Sequence, residues 1–261
     1  MEKYDKKAAS LVDRSYQTPE IVNQRLRTLS AMALGRGESV LDAGCGTGLL
    51  LEQMALAVGE SGRAEGIDFS EDMLERAHQR CSDMPQVGLQ QGNIESLPFE
   101  DASFDALSCT QTLLYVENLE RALGQLHRVL KPGGRIAVLE TDWSGTILNS
   151  QDQALTQRIF AAWDVALVNP NLPKRLRPLL QGLGFGALQV EAIPILNSSY
   201  CENSFSANML ETYANVARRR DLISQAESDE WLAGIDKLIE EDAYFFCVNR
   251  FLFTAVKQGT V

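Results

Sequence analysis

Two histidines, His78 and His127, are all that the 261 residues contain, and both fall in segments with helical periodicity. A histidine-centred metal site or a nucleophile–histidine triad has almost no material to be built from. The five cysteines (Cys45, Cys81, Cys109, Cys201 and Cys247) are odd in number, widely spaced and free of any C-x-x-C pair. That spacing argues against a disulfide framework and a zinc knuckle and fits reduced thiols, so no metal and a cytoplasmic setting are expected. No apolar run approaches the roughly 18 residues a bilayer-spanning helix needs. The stretch Met1-Glu2-Lys3-Tyr4-Asp5-Lys6-Lys7 has no apolar segment behind it, so neither a secretory signal nor a membrane partner is expected. Positive charge is also short: 24 Lys and Arg stand against 35 Asp and Glu, a formal charge of −11. The average field of such a chain repels a phosphate backbone, so no nucleic acid is expected as a partner. The one basic run, Arg218-Arg219-Arg220, reads as a solvated helix end.

Apolar residues are plentiful, at 45%, enough to bury the core of one large domain. Through residue 142 short β-branched strands alternate with amphipathic helices, the pattern of a parallel sheet covered on both faces. Strands are expected at 39–42, 63–68, 88–91, 103–109 and 135–140, with helices at 49–58, 71–81 and 119–130. Ser70 is placed to cap the second of these helices, with Glu71 and Asp72 in its first turn. Lys131-Pro132-Gly133-Gly134 stops the third. Beyond Asp142 the rhythm changes to helices at 152–167 and 175–183 and a strand at about 188–195. A helical cap insertion follows at about 197–241, and a last strand over 244–256 is read as hairpinned antiparallel onto the sheet edge. The expected organisation is one α/β domain with a Rossmann-like, seven-stranded, mostly parallel sheet and an antiparallel last strand. Residues 1–36 form an N-terminal helical lid, 37–142 a cofactor-binding core, and 143–261 the acceptor side.

Chemistry concentrates in Val40-Leu41-Asp42-Ala43-Gly44-Cys45-Gly46-Thr47-Gly48, at a strand-to-helix junction. Glycine there removes Cβ atoms where a ligand lies against backbone and permits positive φ. The spacing is G-x-G-x-G, not the G-x-G-x-x-G of a dinucleotide fold, and no G-K-[ST] follows. An acid just before the turn, Asp42, suits a ligand with an ammonium group. Asp68 ends strand 2, twenty residues beyond Gly48, where a carboxylate can accept both hydroxyls of a ribose. Gly92-Asn93-Ile94-Glu95-Ser96-Leu97-Pro98-Phe99 after strand 3 can set a polar and an apolar side chain beside an adenine. Leu126-His127-Arg128-Val129-Leu130-Lys131-Pro132-Gly133-Gly134 leads into strand 5.

These four elements, in this order and spacing, resemble the class I S-adenosylmethionine-dependent methyltransferases. Within them the chain is most similar to the small-molecule group that includes ubiquinone/menaquinone and arsenite methyltransferase relatives. The resemblance covers residues 16 to 142 well and the rest in outline. It implies S-adenosyl-L-methionine as cofactor, with Gly44, Gly46 and Gly48 lining its methionine and ribose portions beside Cys45. Asp42 would hold the amino group, directly or through water, and Asp68, followed by Phe69, the ribose hydroxyls. Met73 and Ile94 would pack on the two faces of the adenine. Asn93 stands where the family usually has Asp, and its amide oxygen can accept the same bond. Thr110 and Gln111 would face the sulfonium, Tyr16 would lie on the N-terminal helix folded over the cofactor, and Arg25 would pair with the cofactor's carboxylate.

Each residue has a plainer reading. Asp42 and Asp68 could cap helices, Met73 could be core, Tyr16 and Arg25 could belong to a surface helix, and Cys45 and Cys109 could be small space-fillers. On the acceptor side Tyr115, Asp142 and Trp143 are read as following strands 4 and 5, where an acceptor must approach the methyl group. Asp142 is the candidate base. The tetrapeptide N-P-P-[YF], which holds an amide or exocyclic amine in related enzymes, is absent after strand 4, where the chain reads Cys109-Thr110-Gln111-Thr112. The leading expectation is transfer of a methyl group to a small molecule by in-line displacement. A tRNA or protein methyltransferase and a non-catalytic cofactor-binding subunit are the alternatives. Arsenite would need convergent thiolates, for which Cys201 and Cys247 are the only pair outside the core.

Overall fold

A computed structural model describes residues 6–259. The sheet is built from β1 (Ser39–Ala43), β2 (Arg63–Asp68), β3 (Val87–Gln91), β4 (Phe104–Thr110), β5 (Leu130–Leu148), β6 (Phe185–Asn197) and β7 (Phe246–Lys257). Its order is β3-β2-β1-β4-β5-β7-β6. The first five strands pair in parallel, and β7 runs antiparallel to both neighbours. Strand order reverses beside β1, between β2 and β4. In open α/β sheets that reversal opens a crevice at the carboxyl ends of the strands. The glycine turn after β1 lies there.

Helices α1 (Lys6–Ser15), α2 (Pro19–Met32), α3 (Leu49–Val58), α4 (Glu71–Arg80) and α5 (Leu119–Val129) precede or connect the parallel strands. Their ends follow capping chemistry. Ser70 accepts from Met73 N and Asn118 from Arg121 N, each satisfying an orphan donor of a first turn. α5 buries Leu119, Ala122, Leu123, Leu126 and Val129, one stripe at helical spacing. Each leucine so buried contributes about 1.5–3 kcal/mol. The stripe joins β1, β4, β5 and α7 (Pro173–Gly182) in a core on one face of the sheet. α2 and α3 enclose Val40, Ala64, Ala106 and Leu139 on the other.

Two expectations about the acceptor half change. β7 does not lie at the edge: it sits between β5 and β6, and β6 is the edge strand. Burial explains the exchange. β7 buries Phe246, Val248, Arg250, Leu252, Phe253 and Ala255, whereas β6 exposes alternate residues and carries Pro194, which cannot donate to a ladder. β5 also runs on past residue 140, through a register irregularity between Asp142 and Ile147, to pair Leu148 with Phe246. Asp142 and Trp143 are therefore within a long antiparallel ribbon, not beyond a strand end. The ribbon packs against α6 (Gln153–Ala166), α8 (Phe205–Arg219) and α9 (Gln225–Glu240), giving a third core above the strand ends. Among the described residues no helix is long and apolar enough to cross a membrane.

Candidate cofactor site and acceptor space

Strand β1 ends by burying Asp42, at 1% exposure, where Ser108 Oγ of β4 donates to its Oδ1 at 2.7 Å. Burial pushes the carboxyl up to about 7; the Ser108 bond opposes this, and the nearby Asp68 charge adds to it. Asp68 accepts from Gly46 N and from Ser70 N, both at 2.9 Å, and so ties the glycine turn to the start of α4. Burial raises its pKa in spite of these bonds. Gly44, Gly46 and Gly48 have φ of 80°, 52° and 80°, the left-handed region. Their missing Cβ atoms serve different ends. A Cβ on Gly44 would lie 2.2 Å from Thr112 Oγ1, and one on Gly48 3.1 Å from Ala77, whereas one on Gly46 would meet nothing within 4 Å. Gly46 alone of the three faces open space, flanked by two acids.

Around this turn the other expected residues fall unevenly. Met73 and Ile94 are buried and Phe69 is half exposed. Asn93 is exposed, and its Oδ1 accepts from Glu95 N at 2.9 Å, leaving the second lone pair of that oxygen. Cys45 and Cys109 are buried, and burial raises both thiols well above their ordinary value, which fits inert space-fillers. Thr110 ends β4 half-buried. Gln111, at φ 53°, turns its amide toward β5, donating to Leu139 O at 3.3 Å and accepting from Thr141 Oγ1 at 2.6 Å. Arg25 is buried and donates from Nη1 to the Tyr16 carbonyl at 2.9 Å, while its Nε has no partner. Asp13 of α1 accepts from Thr47 Oγ1 at 2.7 Å and from Arg80 at 2.8 Å, holding α1 over the turn.

Of the residues expected near an acceptor, Tyr115 is half-buried in a 3-10 turn after β4 and packs on the core of α6 and α8. Asp142 is engaged by Lys174 at 3.3 Å and by Ser144 Oγ at 3.0 Å. Trp143 is buried, edge-on to Trp163 at 5.3 Å and Tyr213 at 6.3 Å between ring centroids. Two residues escaped the sequence reading. Glu140, fully buried at the end of the parallel part of β5, accepts from Leu113 N at 2.8 Å and Thr112 N at 3.1 Å; its Oε2 has no partner. Burial pushes it up to about 8 against those backbone bonds. Arg250 of β7 is buried beside α2 and α8. The available signal was an acid closing the apolar run Ile136-Ala137-Val138-Leu139, and a lone cation inside an aromatic strand.

Residues 41–138 match a family model described as a methyltransferase domain. The demethylmenaquinone methyltransferase of Lysinibacillus sphaericus (strain C3-41) is 39% identical over 123 residues, 47% of this chain and 53% of that protein. An uncharacterized 37.1 kDa protein in transposon TN4556 of Streptomyces fradiae is 38% identical over 143 residues, 55% of this chain and 41% of that protein. The chain spans about half the length of these curated relatives. Among solved structures, Haemonchus contortus phosphoethanolamine N-methyltransferase 2, complexed with phosphomonomethylethanolamine and S-adenosylhomocysteine, superposes with a TM-score of 0.65 at 19% identity. That match covers 99% of this chain and 58% of the other. The YcgJ protein of Bacillus subtilis superposes with a TM-score of 0.63 at 19% identity over 92% of this chain and 100% of the other. At such identities these two likenesses speak for the fold alone. Motif order, sheet order and the family match agree that residues 41–138 are similar to a methyltransferase domain carried on a Rossmann-like sheet.

Proposed function

We propose that the chain binds S-adenosylmethionine across the carboxyl ends of β1, β2 and β4 and methylates a small, partly apolar acceptor beneath α8. The observation that carries the reading is the glycine turn at the strand-order reversal, with Gly46 open to space, Asp42 buried and Asp68 half-buried beside it. The residues present suit the cofactor. Asp42 would take its ammonium group, Asp68 its ribose hydroxyls through the lone pairs left by Gly46 N and Ser70 N, and Arg25 Nε its carboxylate. Met73 and Ile94 offer apolar contact to an adenine, and Asn93 an amide beside it.

When bound, the cofactor supplies an electrophilic methyl group on a sulfonium. What remains for the protein is to align the acceptor and exclude water. Trp143, Phe160, Trp163 and Tyr213 form an aromatic cluster suited to an apolar body. Asp142, the base candidate, is engaged by Lys174 and Ser144. The acidic total charge and the missing N-P-P-[YF] tetrapeptide both support a small acceptor over tRNA or protein.

The test is transfer of tritiated methyl from S-adenosylmethionine into separate fractions of small metabolites, tRNA and protein. Label in the small-metabolite fraction is expected. Label confined to tRNA or protein would overturn the reading, and tight cofactor binding with label nowhere would favour a non-catalytic subunit.

A further inference from the structure

Arg250 is the bulkiest side chain among those buried below 2% exposure. It stands on β7 opposite Thr141 of β5 and Ile193 of β6, at the height where β5 leaves its parallel partner. Phe246, Val248, Leu252 and Phe253 mark the rest of the strand as core. The guanidinium lies 5.0 Å from the Phe205 ring centroid and 5.8 Å from that of Tyr16, one Nη donates to Gln24 Oε1, and the Tyr16 hydroxyl is a further hydrogen-bond partner. Gln24 carries no charge, Nε has no partner, and Arg250 makes no ion pair among the described residues. Glu140 lies within its field but makes no ion pair with it among the described residues, and burial pushes that carboxyl up. A buried cation with no bonded counter-charge weakens a fold unless something else supplies the charge.

Two more donors are stranded in the adjoining aromatic core. Trp143 Nε1 and Trp163 Nε1 are buried without acceptors, and both indoles meet the Tyr213 ring, which also lies within the field of Arg250. Indole N–H and guanidinium N–H can only donate. The set therefore calls for acceptor oxygens bearing negative charge, presented on a body flat and apolar enough for rings of Trp, Tyr and Phe.

We propose that Arg250, with the indole N–H groups of Trp143 and Trp163, is an oxyanion-recognition site for the methyl acceptor, which carries a carboxylate or ionised hydroxyl on an aromatic or similarly apolar body. The proposal rests on the small-acceptor reading above and adds the acceptor's charge. Arg250 then selects the anionic form of the acceptor and fixes its orientation beneath α8, in the manner of a guanidinium facing a carboxylate fork.

The experiment uses the full chain saturated with S-adenosylhomocysteine. 2-Naphthoate and 2-naphthamide are titrated at pH 7, and 2-naphthol below and above its ionisation, by tryptophan fluorescence and calorimetry. Binding of 2-naphthoate at least tenfold tighter than 2-naphthamide is expected, with tightening of 2-naphthol on ionisation marking the phenolate as the preferred source. Arg250→Met should abolish the discrimination, Arg250→Lys should weaken but keep it, and Trp163→Phe should reduce it several-fold. S-adenosylhomocysteine affinity should stay within twofold in all three, and the Tm of Arg250→Met should hold or rise, because an uncompensated buried charge is gone.

Equal binding of anion and amide by the wild type, or no binding of either anion, overturns the proposal, as does discrimination that survives Arg250→Met. A tenfold loss of S-adenosylhomocysteine affinity in Arg250→Met would instead make the cofactor's own carboxylate the partner. A fallen Tm with unchanged discrimination would make Arg250 a packing residue. If Arg250→Met does not fold, Arg250→Lys and Trp163→Phe decide alone, unchanged discrimination in both overturning the proposal. Failure of the wild type to bind S-adenosylhomocysteine counts against the methyltransferase reading itself, separately from these arms.

Discussion

Substituting Asp68 by Ala removes the acceptor of two backbone N–H groups, Gly46 and Ser70, along with the carboxylate proposed for the ribose. Calorimetry should show cofactor affinity reduced by about 1.5–3 kcal/mol, the range for a hydrogen bond to a charged group. Thermal melting should show a lower Tm as well, because the turn loses its tie to α4. Undiminished affinity would count against the placement of the ribose. The glycines divide more sharply. Gly46→Val should leave a folded protein by circular dichroism, with a lower Tm from the strain of a β-branched residue at φ 52°, that no longer binds cofactor because its side chain enters the open space proposed for the ligand. Gly44→Ala should instead lower stability, because its Cβ would collide with Thr112. Normal binding by Gly46→Val would remove the turn from the cofactor site. The acids at strand ends were legible because position on a parallel sheet is set by strand period and turn chemistry, both local. The hydrogen bonds of Gln111 were not, because its amide meets Leu139 and Thr141 of a strand some 30 residues later in sequence.

At the scale of elements, α1 is held by one carboxylate. Asp13 accepts from both Thr47 of the glycine turn and Arg80 of α4, and Arg80 Nε also donates to Thr47 O at 2.9 Å. Asp13→Ala should release the helix from the turn and speed cofactor dissociation several-fold in stopped-flow, with a change in Tm equivalent to about 1 kcal/mol or less, as for a partly exposed ion pair. An unchanged off-rate would mean that α1 does not close over the cofactor. Trp143 shows what an element boundary does to a prediction. Placed beyond a strand end, it would be a side chain that Ala could replace at little cost to the fold. Inside the β5 ribbon, packed against Trp163 and Tyr213, its loss leaves a cavity worth about 3–5 kcal/mol, so Trp143→Phe is the usable probe. Strands β1 to β4 could be read nearly to the residue because each is a short apolar run closed by turn residues. The continuation of β5 and the inner place of β7 depend on pairing between segments about 100 residues apart, which no local pattern encodes. Pro194 and the alternating exposure of β6 were the available hints that it, not β7, takes the edge.

The whole molecule carries its acids in a particular way: a formal charge of −11, with two fully buried carboxyls at the mouth of the sheet. Asp42 is pushed up to about 7 and Glu140 to about 8, both by burial, from ordinary values of 3.8 and 4.5. Native pKa values above those of the unfolded chain mean that the folded state binds more protons between about pH 4 and pH 8. Stability contributed by these two groups is therefore greatest at the acid end of that window. It is lost as pH rises through about 7 and then about 8, with self-repulsion of the net charge acting in the same direction. Urea midpoints without cofactor should fall from pH 5.5 to pH 8.5 by an amount equivalent to on the order of a few kcal/mol. Cofactor alters the sign at one site. An ammonium group beside Asp42 favours the ionised carboxylate, so binding near neutral pH should expel a proton, read by calorimetry as a dependence of binding heat on the buffer's ionisation heat. Saturating cofactor should correspondingly flatten the pH dependence of the urea midpoint. Asp42→Asn should keep the fold, lessen the pH dependence of the apo protein and abolish the proton release. Proton release that persists in Asp42→Asn would assign the titration to another group and take the ammonium away from Asp42.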